Sequence, residues 1–198
     1  PGFELPRKGL LKSSPLIKAP ASIDWRALGG VSSVKYQGNC GACWAFALVG
    51  VLESNILLHP LMGSELDLSE QQLISCNTLG YNCEGGFFDV AVHFEDKGSI
   101  LESQMPYTAS SSTACAEQGI MPQAFTDSWE YVVEYHPPTP TDIESIKTAL
   151  QDGPVFTALI VTSDLYLYQS GIYENDSLQC QNTSATALNH GVVLVGYD

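Results

Sequence analysis

Cys43 stands behind a glycine-rich loop, Gln37-Gly38-Asn39-Cys40-Gly41-Ala42, and at the start of a long apolar segment. Residues 43–58 are apolar on nearly every side, which predicts a helix that is buried all round. A thiol in the first turn of a helix meets the positive end of the helix dipole, and this stabilises the thiolate. Cys43 is therefore a candidate nucleophile.

A nucleophile of this kind needs a base within hydrogen-bond reach. The chain has four histidines, and three have solvent or capping explanations: His59 closes a helix, His93 lies within one, and His136 precedes two prolines. His190 instead opens an apolar segment, 191–197, which predicts a strand whose edge could project the imidazole into a cleft. His190 is the candidate base.

The two halves of the chain predict different secondary structure. The first half predicts a second helix that begins near Leu68, with Ser69 and Gln72 forming a capping box, and a third helix from about 87 to 97. The second half is rich in β-branched and aromatic residues, and its predicted strands cover 129–135, 155–161 and 191–197, with one helix at 141–151. This order predicts two subdomains with a cleft between them.

The charge of the chain excludes several classes of partner. Lys and Arg number 8 against 22 Asp and Glu, a net charge of −14, which excludes a nucleic-acid surface and an anionic-membrane binder. The longest apolar run, 42–52, is shorter than the roughly 18 to 20 residues that span a bilayer. Residues 1–19 carry four basic residues, one acid and three prolines, and we interpret them as a processing or linker segment.

Six cysteines and two glycosylation sequons favour the secretory or endolysosomal route. The sequons begin at Asn175 and Asn182. The cysteines lie at positions 40, 43, 76, 83, 115 and 180.

The sequence resembles the papain-like cysteine peptidases, especially their cathepsin L-like branch. Cys40-Gly41-Ala42-Cys43-Trp44 matches the signature C-G-[SA]-C-[WY], and His190 lies 147 positions beyond Cys43, within the spacing of this family. Further segments resemble motifs of the family and occur in the same order along the chain. They lie at 21–26, 68–73, 83–86, 106–107, 153–155, 171–173 and 189–191. So many ordered landmarks make a chance match very improbable.

The resemblance, which covers about residues 20–198, implies an α+β fold with two subdomains. The helical left part would span about 20–110, and the antiparallel, β-barrel-like right part about 111–198, with the right part incomplete. Residues 1–19 would be a propeptide remnant or linker that blocks the cleft of a zymogen. The peptidase domain would then be 20–198.

The resemblance also implies the catalytic roles. Cys43 and His190 would form a thiolate–imidazolium pair, and Gln37 would join the Cys43 backbone N–H as the oxyanion hole. The reaction would be peptide-bond hydrolysis through a thioester acyl-enzyme, with no metal or organic cofactor. No insertion like the occluding loop of the carboxypeptidase members follows Cys83, which favours an endopeptidase.

Substrate binding is implied for a further set of residues. A protein or peptide substrate would pair with the backbone at Gly85 and Gly86, and Asn189 would also bind it. An apolar pocket would take a bulky hydrophobic P2 side chain, and its implied residues are Phe87, Phe88, Ala158 and Leu188. Besides substrates, the expected partners are a propeptide or cystatin-type inhibitors, and the expected location is lysosomal or secreted.

The implied disulfides are Cys40–Cys83 and Cys76–Cys115, which leave Cys180 alone. In the family, the partner of that cysteine and the catalytic Asn both lie in a C-terminal segment that this chain does not have. Two interpretations stay open: a truncated piece, or a heavy chain linked through Cys180 to a light chain.

Three alternatives to an active peptidase fit parts of the sequence. Cys40 and Cys43 fit a C-x-x-C thiol oxidoreductase, although the βαβ pattern of that class does not precede them. A latent or non-catalytic peptidase homologue is favoured only by the missing Asn. A structural zinc site is disfavoured, because no second C-x-x-C or paired His spacing accompanies the first.

Overall fold

The computed structural model describes residues 20–59, 65–133, 139–175 and 188–198. The predictions made for the basic segment 1–19, for His136, for Cys180 and for Asn182 lie outside these residues. Among the described helices, none combines the length and the hydrophobicity needed to cross a bilayer.

Helix α1 spans Cys43–Leu58, the range that the sequence predicts. It contacts the next helix along the chain and both strands of the larger sheet. Its buried apolar residues are Trp44, Ala45, Ala47, Leu48, Val49, Leu52 and Ile56. Because neighbours cover it on several sides, α1 is the central element of the core.

Helix α2 spans Glu70–Cys76 and begins at the predicted cap. The Ser69 hydroxyl accepts a hydrogen bond from the Gln72 N–H, at 3.1 Å. The second half of the predicted capping box is wrong, because the Gln72 side chain donates to the Gly98 carbonyl and accepts from the Ile100 N–H. A contact between distant segments has replaced the local one.

The predicted third helix divides in two. A 3-10 turn covers Phe88–Ala91, and helix α3 follows at Val92–Asp96. Helix α4, Pro140–Ala149, begins with Thr139 and Asp142 in a capping box and buries none of its residues.

The strands form two small antiparallel sheets within the described residues. In the larger one, β2 (Val155–Leu159) pairs with β3 (His190–Leu194). In the smaller one, β1 (Ile23–Asp24) pairs with β4 (Gly196–Tyr197). The fold is therefore α+β as predicted, and within the described residues its right part is an incomplete barrel.

The strand predicted at 129–135 is wrong for its described residues, 129–133, which form no strand. The rings of Trp129 and Tyr131 pack instead around Phe88, at centroid distances of 6.1 and 5.2 Å. The apolar character that indicated a strand is used for packing against the helical part.

Candidate active site

Cys43 is the first residue of α1 and keeps a free, half-buried thiol. No side chain caps this helix start among the described residues, and no acidic residue lies in its first turn. The thiol therefore faces the positive end of the helix dipole without a competing negative charge in that turn. This is the environment that activates a cysteine nucleophile.

A disulfide holds the loop that precedes the thiol. Cys40 is bonded to Cys83, and the Gly41 N–H donates to the Cys83 carbonyl at 2.8 Å. A Cβ at Gly41 would lie 2.7 Å from that same carbonyl oxygen, so only glycine fits there. The loop and the 83–86 segment are thus fixed against each other.

The cysteine pairs are those that the family resemblance implies. Cys76 and Cys115 form the second disulfide. Since Cys40 is bonded to Cys83, the Cys40–Cys43 dithiol of an oxidoreductase is not formed. Glu117 lies within 4.8 Å of the Cys76 and Cys115 sulfurs, but those sulfurs are bonded to each other and are not thiolate ligands.

Gln37, the predicted oxyanion residue, is held at both ends. Its carbonyl accepts from the Tyr107 hydroxyl at 2.6 Å, and its side-chain amide donates to the Cys40 carbonyl at 2.8 Å. The amide has a second hydrogen for another acceptor.

A buried ion cluster lies two residues before Gln37 and was not predicted from the sequence. The Lys35 ammonium is 2.8 Å from Glu53 and 2.9 Å from Glu70, and it also donates to the Leu68 carbonyl. The side chains of Glu53 and Glu70 are only 1% and 2% exposed. The cluster ties the Gln37 segment to α1 and to α2.

One ammonium therefore serves two buried carboxylates. Burial opposes the charge of Lys35, but attraction to Glu70 and hydrogen bonds to Asp67 and Glu53 outweigh it and raise the pKa of Lys35. Burial raises the pKa of Glu70 to about 7, although Lys35 pulls it down. The signal in the sequence was Glu53, the one charged residue of a largely apolar helix.

A cavity of about 450 Å³ adjoins this cluster. Lys35, Asp67, Glu70 and Tyr107 line it, and none of the predicted catalytic residues does.

His190 is the first residue of β3, opposite Leu159. The residue before it, Asn189, clamps the end of β2: its side chain accepts from the Val161 N–H at 2.7 Å and donates to the Val161 carbonyl at 3.1 Å. Asn189, predicted to bind substrate, thus fixes the start of the strand that carries His190. Burial lowers the pKa of the His190 imidazole below its ordinary value.

The chain neighbours of the thiol and of the imidazole lie close together. A Cβ at Gly191 would lie 3.5 Å from the Trp44 Cα, so the residue after the imidazole contacts the residue after the thiol. A glycine at 191 allows this close approach of β3 to α1. Within the described residues, no hydrogen bond joins the Cys43 thiol to His190.

The two predicted backbone-binding glycines lie in a tight turn. Gly85 has φ of +137° and exchanges two backbone hydrogen bonds with Asn82, both 3.1 Å long. A Cβ at Gly86 would lie 2.6 Å from the Trp44 ring. Gly86 therefore has to be a glycine for this segment to pack beside the start of α1.

The four predicted pocket residues differ in burial. Phe87 is exposed, and Phe88, Ala158 and Leu188 are half-buried. Ala158 pairs with Gly191 across the sheet, which brings it close to the candidate base. The ring of Phe156, a residue not among these four, lies 5.6 Å from that of Phe88.

Asn175, the first sequon asparagine, uses its side-chain amide internally. It donates to both carboxylate oxygens of Asp164, at 3.1 and 3.0 Å, and lies 3.0 Å from the Thr162 hydroxyl. A glycan on this nitrogen would replace one of the hydrogens that these contacts use.

Comparison with known proteins gives consistent results. Residues 19–198 match the family model described as papain family cysteine protease. The chain is 36% identical over 197 residues to cathepsin S of Bos taurus, covering 97% of this chain and 56% of that protein. It is 37% identical over 184 residues to the probable cysteine protease RD21C of Arabidopsis thaliana, covering 90% of this chain and 37% of that protein.

Solved structures agree with the sequence relatives. Bromelain protease from Ananas comosus, in complex with the E64 inhibitor, superimposes with a TM-score of 0.74 at 33% identity, covering 90% of this chain and 76% of that chain. The proform of a cysteine protease that is a major ragweed pollen allergen gives 0.76 at 31% identity, covering 91% and 52%. The chain spans 56% of the length of cathepsin S and 37% of the length of RD21C.

Proposed function

This chain belongs to the papain family of cysteine proteases, and we propose that it hydrolyses peptide bonds as a cysteine endopeptidase with Cys43 as the nucleophile. The observation that carries the proposal is a free thiol at the start of α1 whose next residue, Trp44, contacts Gly191, the neighbour of His190. A helix start and a nearby imidazole are both features that activate a cysteine nucleophile.

The proposed reaction is acyl transfer. The Cys43 thiolate attacks the peptide carbonyl carbon, and the carbonyl oxygen takes up negative charge. The Gln37 amide and the Cys43 backbone N–H donate to that oxygen. The C–N bond then breaks, and the amine leaves with the proton that the His190 imidazolium held. Water, deprotonated by His190, attacks the thioester carbon; the C–S bond breaks, the acid is released, and the thiolate–imidazolium pair is restored.

Substrate specificity is part of the same proposal. An extended peptide would pair with the backbone of the turn at Gly85 and Gly86, as an added strand does. Its P2 side chain would enter the apolar pocket of Phe87, Phe88, Ala158 and Leu188, which favours a bulky hydrophobic residue.

A further segment completes the site in this proposal. All residues of β2 and β3 are only half-buried, and the chain covers 76% of the bromelain chain. A C-terminal segment, either continuous or a light chain linked through Cys180, would supply the Asn that accepts a hydrogen bond from His190. That contact would favour the imidazolium, against the burial that lowers the pKa of His190.

The cellular setting follows from the same chemistry. Two disulfides indicate an oxidising route, which supports a lysosomal or secreted zymogen. Residues 1–19 would be the end of its propeptide, and cystatin-type inhibitors would occupy the same cleft.

The experiment that tests the function is alkylation of Cys43 at pH 5 with a peptidyl epoxide, followed by intact mass and peptide mapping. An ordinary thiol is only about 0.03% ionised at that pH. We expect rapid single labelling at Cys43 in the complete protein, and labelling at least about 100-fold slower in His190→Ala.

Cys43→Ser is the matched control and should take up no label. Slow or scattered labelling of the complete protein, together with no hydrolysis of peptide substrates, would identify a non-catalytic homologue instead. The labelling rate of Cys43 in the 198-residue chain, measured with and without an added C-terminal segment, shows how far that segment activates the thiol.

A further inference from the structure

Phe156 is an aromatic residue next to the predicted substrate pocket that no catalytic role explains. The register of β2 and β3 sets Phe156 opposite Val193 and Ala158 opposite Gly191. Successive side chains of a strand alternate between its faces, so Phe156 and Ala158 share one face of β2. The pocket residue Ala158 therefore has the Phe156 ring as its neighbour on that face.

The Phe156 ring lies directly over Gly191. A Cβ at Gly191 would be 3.0 Å from Cζ and 3.2 Å from Cε2 of this ring, and 3.5 Å from the Trp44 Cα. The ring thus fills the space between the strand that begins with His190 and the helix that begins with Cys43. It is half-buried and packs against the hydrophobic core.

The ring also contacts a second aromatic side chain. Phe156 and Phe88 are in edge-to-face contact, with centroids 5.6 Å apart and planes at 62°. Phe88 in turn meets Tyr131, Trp129 and Phe87 edge to face, at 5.2, 6.1 and 6.2 Å. Edge-to-face ring pairs stabilise one another beyond the area that they bury, so Phe88 resists displacement and limits the movement of Phe156.

We propose that Phe156 determines specificity by closing the inner end of the P2 pocket that Phe87, Phe88, Ala158 and Leu188 form. The pocket then accepts a branched aliphatic side chain such as Leu or Val. A longer side chain, Phe, Tyr or Arg, would have to displace a ring that is packed on Gly191 and Phe88. This inference rests on the proposed function, because it assigns that pocket to the P2 side chain.

The test uses the complete protein and coumarin amides that share Arg at P1 and carry Leu, Val, Phe or Tyr at P2. For the unmodified protein we expect kcat/KM with Leu to exceed that with Phe by at least about tenfold, the scale on which apolar pockets discriminate. Phe156→Val should raise the Phe-to-Leu ratio by at least about tenfold, because it opens the inner end of the pocket.

Phe125→Val is the matched control. Phe125 is also a half-buried ring that packs on a glycine, since a Cβ at Gly98 would lie 2.8 Å from its Cε1, but this glycine follows the end of α3. We expect this variant to keep the P2 preference of the unmodified protein. Phe156→Leu serves in place of Phe156→Val where the smaller residue prevents folding.

The outcomes separate this inference from the function on which it rests. Hydrolysis with equal or better rates for Phe at P2, or a ratio that Phe156→Val leaves unmoved, overturns the inference alone. Absence of both hydrolysis and Cys43 labelling overturns the proposed function, and the inference with it.

Discussion

For the described residues we take 20–125 as the helical part, and 139–175 with 188–198 as the strand part; the two differ in how far they bury their side chains. The helical part contains both disulfides and the hydrophobic core cluster. The described residues of the strand part bury only Leu150, Gly153, Pro154 and Thr162. Every residue of β2 and β3 is half-buried, and α4 buries none.

The two parts also differ in whether their charged side chains are buried or lie at the surface. In the helical part, Lys35 serves two carboxylates that have left water. In the strand part, the Lys147 ammonium is 3.9 Å from Glu144 at the surface and lies over the Tyr197 ring. The helical part thus buries two carboxylates, which it tolerates because Lys35 pairs with both. The strand part is held more by its contact with α1 than by a core of its own.

Removing each lysine gives the sharpest contrast between the two parts. Lys35→Met leaves Glu53 and Glu70 buried without a cation, and we expect it to reduce the free energy of unfolding by about 3–5 kcal/mol. Lys147→Met removes only a surface pair and a cation–π contact, and should cost less than about 1 kcal/mol. Urea unfolding at pH 7 measures both, and equal losses would refute the contrast.

Stability should also depend on pH through the helical part. The pKa of Glu70 is raised from 4.5 to about 7, so between these values the folded chain binds more protons than the unfolded one. Stability from this group therefore increases as the pH falls from 8 to 5, by up to about 3 kcal/mol, since one pKa unit corresponds to about 1.4 kcal/mol. Urea unfolding across this range measures the increase.

Substituting Glu70 separates its contribution to the pH dependence of stability from that of His190. His190 acts in the opposite direction, because burial lowers its pKa and the unfolded chain takes up the proton first. Subtracting the profile of Glu70→Gln from that of the unmodified protein removes the His190 contribution. The exposed Glu174→Gln in the strand part is the control. A Glu70→Gln profile parallel to the unmodified one would contradict the prediction.

The two N-caps provide the smallest contrast. Ser69 is fully buried, caps α2 and donates to the Met105 carbonyl at 2.6 Å. Ser69→Ala should cost about 2 kcal/mol, because it removes the cap and leaves a buried carbonyl without its donor. The exposed Thr139 caps α4, and Thr139→Ala should cost about 1 kcal/mol. Chemical denaturation ranks the pair, and a larger loss at Thr139 would reverse our comparison.

The features that were predicted correctly from the residues depend on contacts between positions close together in the chain. The bounds of α1 were predicted because the apolar run begins directly behind the glycine-rich loop. The Ser69 cap was predicted because its partner, the Gln72 N–H, is three residues away. The disulfide pairs followed from family resemblance and not from the spacing of the cysteines.

The features missed by the sequence depend on segments that meet only in the fold. Glu53 is buried because Lys35, from another segment, reaches it. Gln72 leaves its own helix start for residues 98 and 100. The segment at 129–133 has the composition of a strand, but its rings pack around Phe88. The contact of Gly191 with Trp44 likewise joins two residues that no local pattern relates.

The pairing of β1 with β4 has a consequence for the order of events during synthesis. The Tyr197 hydroxyl donates to the Pro20 carbonyl across a sequence separation of 177 residues. Ribosomes add about 5–20 residues per second, so β1 waits about 10–35 seconds for its partner strand to be made. The disulfides span only 43 and 39 residues. Translation therefore lets the cross-linked part form first, and the earliest strand docks only after residue 197 has left the ribosome.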